Sequence, residues 1–300
     1  MEWRVARIGL KKWTAVAAAA TAAAAILAWQ AGTALTRGGN GSAVFPAEPG
    51  TIAVSIGTGA GMPVAGWFLE GRGNSVVLLL HGIRSDRRQM LARARLLNQA
   101  GHAVLLIDLP GHGASPAPAI TFGLNESEAV SSSLAWLRRR QPQARVGVIG
   151  VSLGAASLVL CRACPRPDAV VLESMYPTIE EAVENRLRMR LGRRLGLLAV
   201  PLSRLLLWQL PLRLAIEPEQ LRPIDRLAAL DMPVLVASGT EDLHTTLAET
   251  RRIHAALGAG AQLWEVAGAA HQDLYEYAPA AYALRMTGFL AGTLAPAPGR

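Results

Sequence analysis

Short, continuous apolar runs alternate with stretches of helical spacing through most of this chain. The runs at 51–56 and 63–70, separated by the turn-rich GTGAGM, predict a leading antiparallel pair of strands. Buried strands are predicted at 76–80, 103–107, 145–149, 169–172, 234–237 and 262–266. Helical spacing predicts helices over 86–100, 126–140, 153–163, 246–257 and 278–290. Strands that are apolar throughout, set between helices, mark βαβ units whose sheet is covered on both faces. The expectation is one α/β domain over 51–295, with a mostly parallel eight-stranded sheet between two layers of helices.

Two segments break that rhythm. Residues 13–35 read WTAVAAAATAAAAILAWQAGTAL without a charge, and roughly 20 helical residues suffice to cross a bilayer core. The flank at 1–12 carries Arg4, Arg7, Lys11 and Lys12, whereas only Arg37 follows closely. That asymmetry places the N-terminus in the cytoplasm and the folded domain outside. A cleaved signal peptide is the rival reading; the length of the run and the lack of a clean cleavage site favour a transmembrane anchor. Residues 36–50 then predict a flexible linker of Gly, Ser and Pro type. The second break is an insertion at about 174–230, too long for a crossover, which predicts a helical cap over the strand ends.

Composition narrows the function. With 51% hydrophobic and 17% charged residues the chain has ample core, which excludes a disordered protein. The net charge of +8 is concentrated in the N-terminal flank and in the cap, at Arg186, Arg188, Arg190, Arg193, Arg194, Arg204 and Arg213. The cap arginines are interleaved with leucines and Trp208, and the chain shows no zinc-finger, RNA-recognition or helix-turn-helix signature. The expected partner is therefore an anionic lipid surface rather than nucleic acid. Two other readings of the cap stay open: a solvated helix face, and a gate for acidic substrates. Cys161 and Cys164 fall in the apolar helix expected after residue 152, where they fill a helix face or, outside the cytoplasm, form a local disulfide.

The chemistry centres on Gly150-Val151-Ser152-Leu153-Gly154, between the strand RVGVI and an apolar helix. A serine on such a strand-to-helix turn has its hydroxyl thrust outward, with the positive end of the helix behind it. A serine nucleophile needs a base, and the base needs an orienting acid. Asp242 follows PVLVAS and His271 follows QLWEV, so both stand at carboxyl ends of strands, where open α/β sheets bind ligands. Glu241, next to Asp242, is the alternative acid. A turn serine with no chemistry is the bland reading of Ser152; it leaves Asp242 and His271 at their positions by coincidence.

The chain resembles the α/β hydrolases, and within them the single-pass membrane-anchored branch of Bem46-like and ABHD13-like proteins with a serine aminopeptidase-type domain. The resemblance is carried by HGIRSD at His81, DLPGHGAS at Asp108, GVSLGAAS at Gly150, VLES at Val171, PVLVASGTED at Pro233 and AGAAHQDL at Ala267. It implies the α/β-hydrolase fold, an oxyanion hole from the backbone N–H groups of Ile83 and Leu153, and loop-shaping roles for His81 and His112. His244 departs from many relatives, which carry an apolar residue and a proline there. For His244 a loop cap and a substrate contact are both open; His102 and His254 read as ordinary surface or core residues. No cofactor is implied, and no histidine–carboxylate spacing suits a metal. The expected activity is hydrolysis of a small-molecule or lipid acyl ester, thioester or amide through an acyl-enzyme. A peptidase of the same fold and a non-enzymatic membrane-bound interaction module are the alternatives.

Overall fold

The computed structural model describes residues 25–46, 48–59 and 61–295, together with Val16, Ala19, Ala22 and Ala23. The expected basic flank at 1–12 and the start of the apolar run lie outside the described residues. Eight strands run in the order β1-β2-β4-β3-β5-β6-β7-β8. They are β1 (Ile52–Ile56), β2 (Val64–Leu69), β3 (Ser75–Leu80), β4 (Ala103–Ile107), β5 (Arg145–Val151), β6 (Ala169–Glu173), β7 (Val234–Gly239) and β8 (Gln262–Val266). β2 pairs antiparallel with β1 and β4, and all other pairings are parallel. Every residue of β3 and β4 is buried, which is why those strands read as unbroken apolar runs.

Alternate side chains of β3 feed two cores. Leu78 and Leu80 join Val130 and Leu134 of α3 (Glu126–Arg140), with Ala155 of α4 (Leu153–Leu160) and Ile253 of α8 (Leu247–Leu257). Val77 and Leu79 face the other way, onto Leu97 of α2 (Leu91–Gln99) and onto Met286 and Leu290 of α10 (Pro279–Leu294). A short helix, α9 (Leu274–Tyr277), precedes α10.

The insertion between β6 and β7 folds as a cap of α5 (Ile179–Leu195), α6 (Ala199–Leu207) and α7 (Gln209–Leu214). Its own small core joins Ile179, Leu207, Leu210, Ile216 and Leu221 to Leu160 of α4. The 36 residues Ile179–Leu214 are apolar enough to cross a membrane by length and composition. They are nevertheless folded into separate helices, with a kink at Gly192, whose φ of 66° is open to glycine.

Two expectations are corrected. The stretch after α1 (helical through 25–36) is no slack linker. Gly39 N–H donates to Gly111 O at 2.8 Å, Ala117 N–H to Gly39 O at 3.0 Å, and Phe45 meets Trp67 edge-on. A Cβ on Gly38 would stand 2.1 Å from Ala117 O, so this glycine serves close backbone contact rather than freedom. The helix after residue 152 ends at Leu160, earlier than its apolar composition suggests. Cys161 is already extended there, and the two cysteines form a disulfide in the turn that follows.

Candidate active site

Four loops at the carboxyl ends of β3, β5, β7 and β8 converge on one cavity of about 500 Å³ beneath the cap, bordered by Ser152, His271, Ile83 and Leu153. A larger groove, about 1120 Å³, runs beside α1 and α7 and borders none of these four residues. The smaller cavity is the one with chemistry.

Ser152 joins β5 to α4 with φ 49° and ψ −106°. A serine in that region is strained, and such strain persists only where the surroundings hold it. Its N–H donates to Glu173 O at 2.8 Å, which ties the turn to the end of β6. The flanking glycines have steric reasons. A Cβ on Gly150 would stand 2.6 Å from Ala155 N, and one on Gly154 would stand 2.6 Å from Leu80 Cβ and O.

His271 Nδ1 lies 2.8 Å from Asp242 Oδ2. A carboxylate only accepts, so Nδ1 carries the proton and Nε2 is the nitrogen available to act as a base. Asp242 is held in turn: Oδ1 accepts the N–H groups of His244 at 2.8 Å and Thr245 at 2.9 Å. Burial alone would push the Asp242 carboxyl up. The hydrogen bond and charge of His271, with those two backbone donors, outweigh it and hold the carboxyl below the ordinary range. The neighbouring Glu241 lies on the exposed side of the turn, so the register puts Asp242, and not Glu241, against the imidazole. Ser152 and His271 border the same cavity without a direct hydrogen bond among the described residues, a contact that in unliganded sites often tightens only with substrate.

Ile83 and Leu153 border the cavity, and no acceptor among the described residues claims the N–H group of either. The loop that carries Ile83 is fixed from below. Gly82 N–H donates to Gln89 Oε1 at 2.9 Å. His81 Nε2 accepts the Leu109 N–H at 3.0 Å, so its Nδ1–H donates to Gly82 O at 2.7 Å. Burial drives His81 down to about 3 despite that bond to Gly82; it is neutral at pH 7 and shapes the loop. His112 packs edge-on against it. His102 pairs with Ser75 at 2.6 Å, and His254 with Ala261 O at 3.1 Å, both away from the cavity.

Sequence reasoning left His244 between two roles and gave no role to Gln89 or Arg84. His244 stacks on the His271 ring, with centroids 4.6 Å apart and planes 12° from parallel. Burial, then the charges of His271 and Arg186, take it down to about 4, so it is a neutral plate that fixes the plane of His271. Arg84, next to Ile83, donates to Ala34 O at 2.5 Å and Leu35 O at 3.2 Å, the last carbonyls of α1. A cation at a helix C-terminus is stabilised there, and the contact joins the N-terminal helix to the loop that bears Ile83. Leu35 itself borders the cavity.

Residues 77–285 match the alpha/beta hydrolase family. An uncharacterized protein of Mycobacterium tuberculosis (strain H37Rv) is 28% identical over 237 residues, 77% of this chain and 75% of that protein. An esterase of Pyrococcus furiosus superposes with a TM-score of 0.68 at 20% identity, covering 86% of this chain and 99% of that one. An esterase of Exiguobacterium antarcticum does so with a TM-score of 0.59 at 15% identity, over 80% of this chain and 99% of its own.

Proposed function

We propose that this chain, which belongs to the alpha/beta hydrolase family, is a membrane-tethered serine hydrolase that cleaves carboxylic esters or thioesters through an acyl-enzyme. The reading is carried by one observation: His271, oriented by a buried Asp242, borders the same cavity as the strained Ser152 and the two residues with unclaimed N–H groups.

In the first half-reaction His271 Nε2 removes the proton from Ser152 Oγ as the oxygen attacks the substrate carbonyl carbon. The carbonyl oxygen becomes an oxyanion, held by the N–H groups of Leu153 and Ile83; each such donor contributes about 2.7–4 kcal/mol to the transition state. The imidazolium, steadied by Asp242, then passes its proton to the departing alcohol or thiol as the carbonyl re-forms. In the second half His271 takes a proton from water, which attacks the acyl-serine, and returns that proton to Ser152 as the acid leaves. An aminopeptidase would need a carboxylate to hold the free amine of its substrate. Asp273, two residues after His271, is the acid that borders the cavity, and it is committed to Arg93 at 2.5 Å and to two backbone donors. That favours esters over amino-terminal peptide bonds.

The membrane tether, as in the Bem46-like branch, is supported by the uncharged run leading into α1 and by how α1 sits. Arg213 of α7 donates to Thr33 Oγ1 at 2.7 Å and stacks on Trp29, and Gln209 donates to Ala28 O. The apolar helix thus emerges beside the cap, whose Leu197, Leu205, Trp208 and Leu212 are exposed. Arg193, Arg194 and Arg204 stand among them without acidic partners in the described residues. Such a surface suits anionic headgroups. The disulfide accords with an oxidising compartment, and so with the catalytic domain on the outer side.

One preparation tests both parts. The full chain should stay with the membrane pellet through alkaline carbonate washing, and in detergent it should hydrolyse p-nitrophenyl butyrate at a rate lost in Ser152→Ala. Release by carbonate would remove the tether, and equal rates in the two proteins would remove the enzyme.

A further inference from the structure

One face of α5 borders the same cavity as Ser152. At helical spacing it presents Ile179, Ala182 and Val183, then Arg186, Met189 and Arg190. The wall is therefore apolar for its first two turns and cationic at its far end.

Neither arginine has an acidic partner among the described residues. The more buried arginines of this chain hold carboxylates: Arg87 holds Asp108 at 3.0 Å, and Arg93 holds Glu173 at 2.8 Å and Asp273 at 2.5 Å. Arg186 is half-buried, yet its one hydrogen bond within the described residues goes to Ala182 O, at 2.8 Å. Burial pulls it below its ordinary value, with Tyr176, Asp242 and Glu249 opposing and Arg190 adding to the fall. Those two carboxylates are engaged elsewhere. Asp242 serves His271 and two backbone donors, and Glu249 accepts from Asn185 Nδ2 and Thr246 N–H. Arg190, exposed at the cavity edge, has no ion pair or hydrogen bond among the described residues.

The other charges around the cavity are satisfied. Arg84 is spent on α1, and Asp273 on Arg93. What remains free among the described residues is two guanidinium groups one helical turn apart, next to the apolar stretch of the same helix. A half-buried cation without a counter-charge costs stability, and paired guanidinium groups match a carboxylate or phosphate in geometry as well as charge.

We propose that Arg186 and Arg190 form an anion subsite, so that the substrate is an ester bearing a carboxylate or phosphate separated from its scissile carbonyl by a short apolar segment. The apolar segment lies along Ile179, Ala182 and Val183, the carbonyl meets Ser152, and the anion meets the two guanidinium groups. The subsite rests on the acyl-transfer reading of this cavity and adds its substrate class.

The test compares p-nitrophenyl esters of matched length. One is the neutral pentanoate, one the hemiglutarate with its terminal carboxylate, and one a butanoate ending in a phosphate monoester. The wild type should favour one or both anionic esters by about tenfold in kcat/KM, the scale of one charge-assisted hydrogen bond. Whichever anion is preferred identifies the source. Arg190→Gln and Arg186→Gln should each collapse the ratio of anionic to neutral turnover, and Arg190→Glu should invert it. Arg190 is exposed, so its variants keep the test alive if the Arg186 variant fails to fold. Equal turnover of neutral and anionic esters by the wild type, or ratios unmoved in folded variants, overturns the subsite while the hydrolase stands. Failure to turn over any of the three esters overturns the acyl-transfer reading and the subsite with it.

Discussion

Asp242→Asn will lower kcat/KM for esters by about ten-thousand-fold while leaving the fold in place. The two oxygens of Asp242 do different work. Oδ1 accepts the N–H groups of His244 and Thr245, and Oδ2 meets His271 Nδ1. An asparagine will keep its one carbonyl oxygen on the two backbone donors and so turn its NH₂ toward His271. An NH₂ cannot accept, so the imidazole must carry its proton on Nε2, the nitrogen that has to be bare to take the proton of Ser152. The loop hydrogen bonds survive, and Tm should move little. Glu241→Gln is the control: its side chain lies on the exposed side of the turn, and its rate should stay near that of wild type. Steady-state kinetics with thermal melts check the pair. A loss of less than tenfold in Asp242→Asn would show that another group orients the base.

Arg93→Met has the largest expected effect on stability. The guanidinium of Arg93 is shielded from solvent among Glu173, Asp273 and the Tyr282 hydroxyl, which accepts from Nε at 2.9 Å. Tyr282 also donates to Glu173. Burial opposes the charge on Arg93, but Glu173, Tyr282 and Asp273 hold it well above its ordinary value. Methionine fills much of the volume and leaves two carboxylates without their cation, which costs about 3–5 kcal/mol. A buried carboxylate without a counter-charge favours its neutral form, so the penalty eases as pH falls and deepens as pH rises. Denaturant unfolding at pH 5 and pH 8 checks both the size and the sign. A loss below 1 kcal/mol, or one that grows toward acid, would contradict this account of the cluster. Activity should suffer beyond the fraction unfolded. Glu173 O anchors the Ser152 N–H, and Asp273 caps α9 directly after the His271 loop.

Much of this was legible in sequence. Continuous apolar runs such as VVLLL and AVLLI became strands buried on both faces, because a doubly covered sheet leaves no polar alternation to confuse the pattern. Gly150 and Gly154 were readable because sterics demand them: the space at each glycine is smaller than a methyl group. The strand-end positions of Asp242 and His271 followed from the same alternation. The choice between Glu241 and Asp242 did not, since a one-residue shift in the turn decides which carboxyl faces inward.

The features that stayed hidden are contacts between distant segments. Arg93 meets Glu173 and Asp273 across 80 and 180 residues, and Arg84 meets Ala34 across 50; no periodicity reports such pairs. The stretch after α1 reads as slack because glycine serves mobility and tight contact equally well, and only the partner strand of backbone at 117–120 decides which. The apolar composition around the cysteine pair predicts a helix there. The helix instead stops at Leu160, and the turn brings the two Cα atoms within 5.6 Å.

The central claim is that Ser152 is an activated nucleophile. A fluorophosphonate probe tests it most directly, because it reports activation without any knowledge of the substrate. Incubated with the full chain in detergent, the probe should add once, as read by intact mass. Peptide mapping should place the adduct on Ser152, and labelling should vanish in Ser152→Ala and fall steeply in His271→Ala. A folded wild type that takes up no probe, or labelling that persists in Ser152→Ala, would contradict the claim.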